Sequence, residues 1–465
     1  MPGGASRGYS AHMTKTFKAP DPANLQEIAA DLVARALKAG ADSAEASVAE
    51  SRETELSVRD GKLEDIGRSE SLDAGLRVFV GKRQAGVAFS DLSEHGRDFT
   101  IGRAVTMAKA APEDPYSALA DPARLCKAPP EIAQFEDGEW TPEELEETAL
   151  AIEAAARAVD GVTKTDASFA SSGQGAAAYA TSTGFNAGWR KSVFGYGASV
   201  IAGEDGAMER DYAATSARRR ADLRDRVEIG REAGERAARR VGPKKLQSGV
   251  MPVVFDRRVS TTFIGSLAGA ASGPAVARGV SFLRDKLGEQ VFAPGVTVID
   301  DPHRPWGHAS APFDGEGTVN QRSAIIEDGR LTTWFLNSAA ARQLDMAPTG
   351  HARRSMGGSP GAGPTNFHME AGTTSRDDLI GGITEGVLIM EMFGPSLNSN
   401  TGDWSVGVSG YRISNGQIDH PVSEITVAGN LIDIYARLIP GSDLEFRGSV
   451  NAPSVFVDAM SIGGL

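Results

Sequence analysis

The sequence predicts an α+β protein. An N-terminal α/β region, with meander sheets and packed helices, precedes a C-terminal domain that is mostly antiparallel and β-rich. Three observations carry this expectation. Well-capped helix signals bracket groups of strand-like runs as far as Gly242-Pro243. Beyond that point short strand-like runs and hairpin dipeptides dominate. Glycine supplies 54 of 465 residues and aromatics only 6%, a composition of tight turns and close backbone approaches. At roughly 150 residues per domain the length suits about three units. They are read as 19–111, 141–242 and 243–465, with a proline-rich connection over 112–140 and a disordered tail over 1–18.

Asp21-Pro22 opens the first helix, since Asp caps and Pro fits the first helical position. Leu25, Ile28, Leu32 and Ala36 recur at helical spacing, and Gly40 closes the helix. Strand-like runs follow at Ala44–Val48, Thr54–Val58, Leu63–Ser69, Gly75–Val80 and Gln84–Phe89. Asp60-Gly61, between the second and third, is a hairpin signal. A helix over Phe99–Ala111 ends this unit. Five prolines break up the connection that holds Cys126. Thr141-Pro142-Glu143-Glu144 is a capping box that starts a helix to about Ala158. Strands at Thr163–Ala170, Ala176–Thr183, Gly188–Ile201 and Met208–Ser216 follow, then a charged helix over Asp222–Val241. The shared order of helix and meander reads as two related layers on one sheet.

In the second half Pro252–Asp256 reads as a strand and Arg257–Ala271 as a helix of small residues. Further strands are expected at Thr297–Asp300, Ser323–Ile326, Leu331–Leu336, Val387–Phe393, Val406–Ser414, Gln417–Pro421 and Ser454–Val457. Asp328-Gly329 and Asn415-Gly416 mark hairpins.

Composition excludes several functions. Lys+Arg 48 against Asp+Glu 61 gives a net charge of −13, which opposes phosphate-neutralising binding to nucleic acid and a polybasic membrane surface. Between Arg218 and Lys245 there are 11 basic and 5 acidic residues, but they interleave, so Glu232/Arg236 and Glu235/Arg239 read as i,i+4 pairs on a solvated helix face. A single cysteine forms no internal disulfide and no cysteine-rich zinc site. The N-terminus lacks the apolar stretch of an export signal, and no apolar run of about 18 residues occurs, so a cytoplasmic protein is expected.

Motif arithmetic yields no catalytic set. No histidine is followed by Glu, so the H-E-x-x-H zinc helix is absent. His303 and His308, with Asp300 and Asp301, could ligate a metal, although loop histidines at irregular spacing are more often surface residues. Gly357-Gly358-Ser359-Pro360-Gly361 matches G-x-S-x-G, yet Pro360 lacks the N–H an oxyanion hole needs there. Gly75 to Arg83 has five residues between its glycines instead of the four of a phosphate loop. Cys126 has no histidine nearby in sequence and reads as a structural thiol.

The second half nevertheless carries ordered runs: Pro312-Phe313-Asp314-Gly315-Glu316-Gly317, Glu327-Asp328-Gly329, Asn400-Thr401-Gly402-Asp403-Trp404, Pro421-Val422-Ser423-Glu424-Ile425, Asp443-Leu444-Glu445-Phe446-Arg447-Gly448 and Asn451-Ala452-Pro453-Ser454. These resemble the TldD/PmbA family, the modulators of DNA gyrase, over roughly 250–465. The resemblance implies a two-subunit cytoplasmic peptidase for unfolded peptides, with roles in peptide maturation and antitoxin turnover. Its TldD-type subunit carries H-E-x-x-x-H and zinc; the PmbA (TldE) type lacks the motif and completes the chamber. Here the corresponding positions are Gly265, Ser266, Gly269 and Ala270, which offer no ligand, so the resemblance is to the non-catalytic PmbA type. It implies no cofactor on this chain and zinc on a TldD-type partner; a homodimer is one state open to the chain alone. Asp314, Glu316, Asp403, Glu424 and Arg447 are candidates for peptide or partner contact, and each also suits a turn or an ion pair. Gly357–Gly363 and Gly402–Gly410 would admit a peptide backbone. The alternatives are a stand-alone metallopeptidase with an unrecognised site, for which His303 and His308 are one candidate, and a peptide-binding regulator with no peptidase role.

Overall fold

The computed structural model describes residues 19–204 and 206–465; the tail read over 1–18 lies outside them. Two units of one element order build a single sheet. Helix α1 (Pro22–Lys38) starts where Asp21 Oδ1 accepts from the Ala23 N–H at 3.0 Å. Strands β1 (Ser43–Arg59), β2 (Lys62–Val80) and β3 (Arg83–Phe89) follow, then α2 (Glu94–Ala110). The second unit runs α3 (Pro142–Arg157), β4 (Val162–Thr181), β5 (Asn186–Ala202), β6 (Glu209–Ala217) and α4 (Arg226–Arg240). The capping box forms: the Glu144 N–H donates to Thr141 Oγ1 at 3.2 Å, and the Thr141 N–H to Glu144 Oε2 at 2.8 Å. The six strands lie in the order β3-β2-β1-β4-β5-β6, so antiparallel β1 and β4 join two mirrored halves of one sheet.

The strands are longer than the sequence reading made them. Ala44–Val48 and Thr54–Val58 are both part of β1, Leu63–Ser69 and Gly75–Val80 of β2, and Thr163–Ala170 and Ala176–Thr183 fall largely within β4. The cause is a polar gap between two helical pads. Ala44, Ala46 and Val48 pack with α1 and α2, while Leu56 and Val58 pack with α3 and α4. Between them Arg52 and Glu50 pair at 2.6 Å on the same strand. A charged stretch that looks like a turn is continuous strand, because ladder partners on both sides satisfy its backbone.

The C-terminal half closes a five-stranded barrel. β7 (Gly249–Phe255) pairs in parallel with Glu385–Leu397, which leads through Asp403–Ser414 and Gln417–Asn430 to Val455–Gly463 and back to β7, all antiparallel after the first pairing. Closure covers the edges along the paired residues, Val387–Ile389 and Thr426–Ala428, while both strands run on beyond them. Helix α5 (Arg257–Ala270) packs Phe263 against Phe255, with ring centroids 4.8 Å apart, and against Trp404 at 5.8 Å. The hairpin dipeptides behave as expected: Asp60, Asp328 and Asn415 take φ of 52°, 47° and 51°, each followed by a left-handed glycine.

Two strand expectations change. Of the run Leu331–Leu336 only Leu331 is strand, as the end of Arg330–Leu331, because Phe335 and Leu336 turn into the core and the Phe335 N–H bonds the Ala271 carbonyl at 2.9 Å. Gln417–Pro421 continues to Asn430 across an irregular register opposite Gly410 and Tyr411. Short helices Ser338–Gln343 and Leu431–Arg437 also escape the sequence reading. Both are capped by asparagine, Asn337 and Asn430, at less than the length where periodicity is legible. No helix among the described residues is long and apolar enough to cross a membrane.

Candidate functional site

Helix α5 is held by its buried face, with Asp256 Oδ1 capping the Arg258 N–H at 3.0 Å. Its other face is bare. A Cβ added at Gly265 or Gly269 would meet nothing within 4 Å. Ser266 is half-buried, and Ala270 points into the core. Zinc requires nitrogen, sulfur or carboxylate donors, and these four residues offer none. No group of three or more His, Cys, Asp or Glu able to hold a metal occurs among the described residues. The His303/His308 loop is engaged elsewhere. His303 Nε2 lies 2.8 Å from Asn320 Oδ1, and buried Asp300 accepts from the Thr365 N–H at 2.6 Å and its hydroxyl at 3.0 Å. Burial, and then the charge of Arg218, push the His308 imidazole below its ordinary value. The residues present do not fit a zinc site.

The five candidate contact residues all have local partners. Asp314 accepts from the Glu316 and Thr318 N–H groups at 2.9 Å and from the Ala352 N–H at 3.1 Å, and burial pushes its carboxyl up. Glu316 accepts from the Ser338 N–H at 2.8 Å and hydroxyl at 2.7 Å; burial and then the Asp314 charge push it up as well. These two carboxyls fasten one loop to the start of Ser338–Gln343. Asp403 is exposed and accepts from the Thr401 hydroxyl at 2.7 Å and the Asn430 amide at 3.0 Å. Glu424, exposed at a φ of 54°, pairs with Lys245 at 2.8 Å. Arg447 pairs with Glu445 at 2.6 Å. Within Gly357–Gly363 and Gly402–Gly410, Gly357 and Gly410 serve the chain's own backbone: a Cβ on Gly410 would strike the Leu388 carbonyl, and one on Gly357 the backbone of Val87.

The structure instead concentrates charge where the N-terminal sheet meets the C-terminal half. Buried Glu45 of β1 accepts from Arg77 Nε at 2.5 Å, Arg354 Nη1 at 2.6 Å and the Tyr179 hydroxyl at 2.6 Å. Burial opposes its ionisation, but the two guanidinium groups prevail and hold its carboxyl down at about 2. Beside this cluster lies a cleft of 330 Å³, walled by Tyr179, Trp189 and Lys191 on one side and by Phe313, His351 and Arg353 on the other. Sequence reasoning missed these residues because they come from strands and loops far apart in the chain. The one legible signal was Arg77, a charge set inside the apolar run Leu76–Phe79.

Family models cover the chain in three consecutive pieces: PmbA/TldA metallopeptidase domain 1 over 44–111, the central domain over 135–241 and the C-terminal domain over 248–464. Metalloprotease PmbA of Escherichia coli O157:H7 is 33% identical over 425 residues, which is 91% of this chain and 92% of that protein. This chain belongs to the PmbA/TldD family. A metalloprotease PmbA homolog of Haemophilus influenzae is 31% identical, with 95% of this chain and 96% of the relative covered. Among solved structures, a protein described as a modulator of DNA gyrase from Bacteroides thetaiotaomicron superposes with a TM-score of 0.87 at 27% identity, over 95% of this chain and 99% of the other. TldE from Thermococcus kodakarensis shares the fold, with a TM-score of 0.83 at 20% identity over 94% of this chain and all of that one. Within this metallopeptidase family, α5 lies inside the region matched by the C-terminal domain model.

Proposed function

We propose that this chain is the zinc-free, PmbA/TldE-like subunit of a two-subunit cytoplasmic peptidase for unfolded peptides. Zinc and the catalytic base belong to a TldD-type partner. One observation carries the reading: α5 presents Gly265, Ser266 and Gly269 where the motif-bearing helix would present donors, and Ala270 is turned to the core. Membership of a metallopeptidase family then sits with a chain whose described residues hold no group of ligands able to bind a metal. Its role is to complete the walls that hold an extended peptide.

The test is a peptide-cleavage assay on each subunit and on their mixture, with metal analysis of this chain. This chain alone is expected to cleave nothing and to hold no stoichiometric zinc. The mixture should cleave unfolded peptides and lose that activity when the partner's motif glutamate is changed. Chelator-sensitive cleavage by this chain alone would overturn the reading, as would failure to bind any TldD-type subunit in gel filtration.

A further inference from the structure

The cleft between sheet and C-terminal half holds more positive charge than its carboxylates neutralise. Lys191 stands on β5, Arg218 follows β6, and Arg353 ends the short strand Ala352–Arg353 after His351. Among the described residues the side chains of Lys191 and Arg353 make no hydrogen bond and no ion pair, and Arg218 donates only to the carbonyls of Ser192, at 2.9 Å, and His308. The neighbouring carboxylates are engaged: Asp314 by three backbone N–H groups, Asp300 by Thr365, and Glu45 by Arg77 and Arg354. Lys191 keeps an accessible surface, but the surrounding walls, and then the charges of Arg218 and Arg353, hold its ammonium below the ordinary lysine value. Like charges gathered in a walled cleft focus a positive potential that an anion relieves.

We propose that this cleft binds the free C-terminal carboxylate of a peptide, with Lys191, Arg218 and Arg353 around the anion and Trp189 and Phe313 beside the apolar groups next to it. The cleft volume of 330 Å³ falls in the small-ligand range of about 300–1,000 Å³. Its aromatic wall, where Trp189 and Phe313 lie 5.2 Å apart, would be unused by a bare inorganic anion. Charge-assisted bonds from several cations suit a carboxylate. The anion site stands on the cleft itself; the peptide as owner of the carboxylate rests on the role proposed above.

Calorimetric titration of the full chain at low salt tests the site, using hippurate, its amide and inorganic phosphate as probes. Hippurate should bind, the amide about tenfold more weakly or worse, and added salt should weaken the acid alone. Lys191→Met and Arg353→Met should each weaken hippurate about fivefold or more with little change in melting temperature, since neither side chain makes an internal hydrogen bond or ion pair and Arg353 meets only the longer-range attraction of Asp300. Equal binding of acid and amide, no binding of hippurate, or binding unchanged in both variants would overturn the site. Phosphate binding tighter than hippurate would overturn the peptide end as its ligand. Failure here with cleavage retained by the mixed subunits removes this site and leaves the subunit role standing.

Discussion

Glu45 is fully buried against two guanidinium groups and a phenol, and it connects a strand of the sheet to Arg354 of the C-terminal half. Glu45→Gln keeps the shape and removes the charge, leaving the Arg77 and Arg354 guanidinium groups without the carboxylate they share. Breaking a buried pair from one side costs about 3–5 kcal/mol, and urea unfolding at neutral pH should show a loss of that order. The pH dependence has a definite sign. The folded carboxyl is depressed to about 2 from an ordinary 4.5. Its contribution is therefore complete above about 4.5 and is lost as pH falls toward 2. The stability gap between wild type and Glu45→Gln should narrow over that window; a gap constant down to pH 2 would mean the charge is not what Glu45 contributes. Nothing in the sequence marks Glu45, because its partners are assembled only when β2, β4 and the Arg354 loop meet. The candidates that sequence did mark, Asp314 and Glu316, earned notice through a dense loop motif, and that motif turns out to be occupied with backbone N–H groups.

At the level of elements, the loop around Gly357 is pressed onto β2 and β3. A Cβ on Gly75 would collide with the Gly357 nitrogen, and one on Gly86 with the Gly357 carbonyl. Gly357 itself is left-handed at a φ of +69°. Three glycines thus make one contact between chain segments, a use of glycine that a sequence shows only as frequency. Gly86→Ala should force the loop outward and destabilise the fold by about 1–3 kcal/mol, as overpacking does. Trypsin should then cut faster after Arg353 and Arg354, which begin the loop. An unchanged digestion rate with unchanged stability would show that the contact yields freely. The helices with caps, the three hairpin dipeptides and the two-unit meander were readable because their determinants lie within a few residues. Strand length was not readable, since Glu50–Glu53 is strand only by virtue of β2 and β4 on either side.

For the whole molecule the question is whether sheet and barrel are independent bodies. Interdomain contacts inside one chain are ordinarily small and polar, and relative motion is the default. Here the seam contains charges that cannot separate cheaply. Besides Glu45 and Arg354, buried Asp211 of β6 accepts from Arg258 of α5 at 2.8 Å and from Arg240 of α4 at 3.4 Å, and Arg240 also reaches Glu391 of the barrel. Burial opposes the Asp211 carboxylate, but Arg258 and Arg240 hold it below its usual value. Opening the seam would expose or strand these ions, and screening by salt is weak where side chains are buried. The chain should therefore melt in a single calorimetric transition whose van't Hoff and calorimetric enthalpies agree. Asp211→Asn with Glu45→Gln should split it into two transitions, since two buried carboxylates that pair across the seam would be gone, whereas raising salt on the wild-type chain should not. Two transitions in the wild-type protein would show that the seam is a hinge, and that the cleft beside it opens and closes.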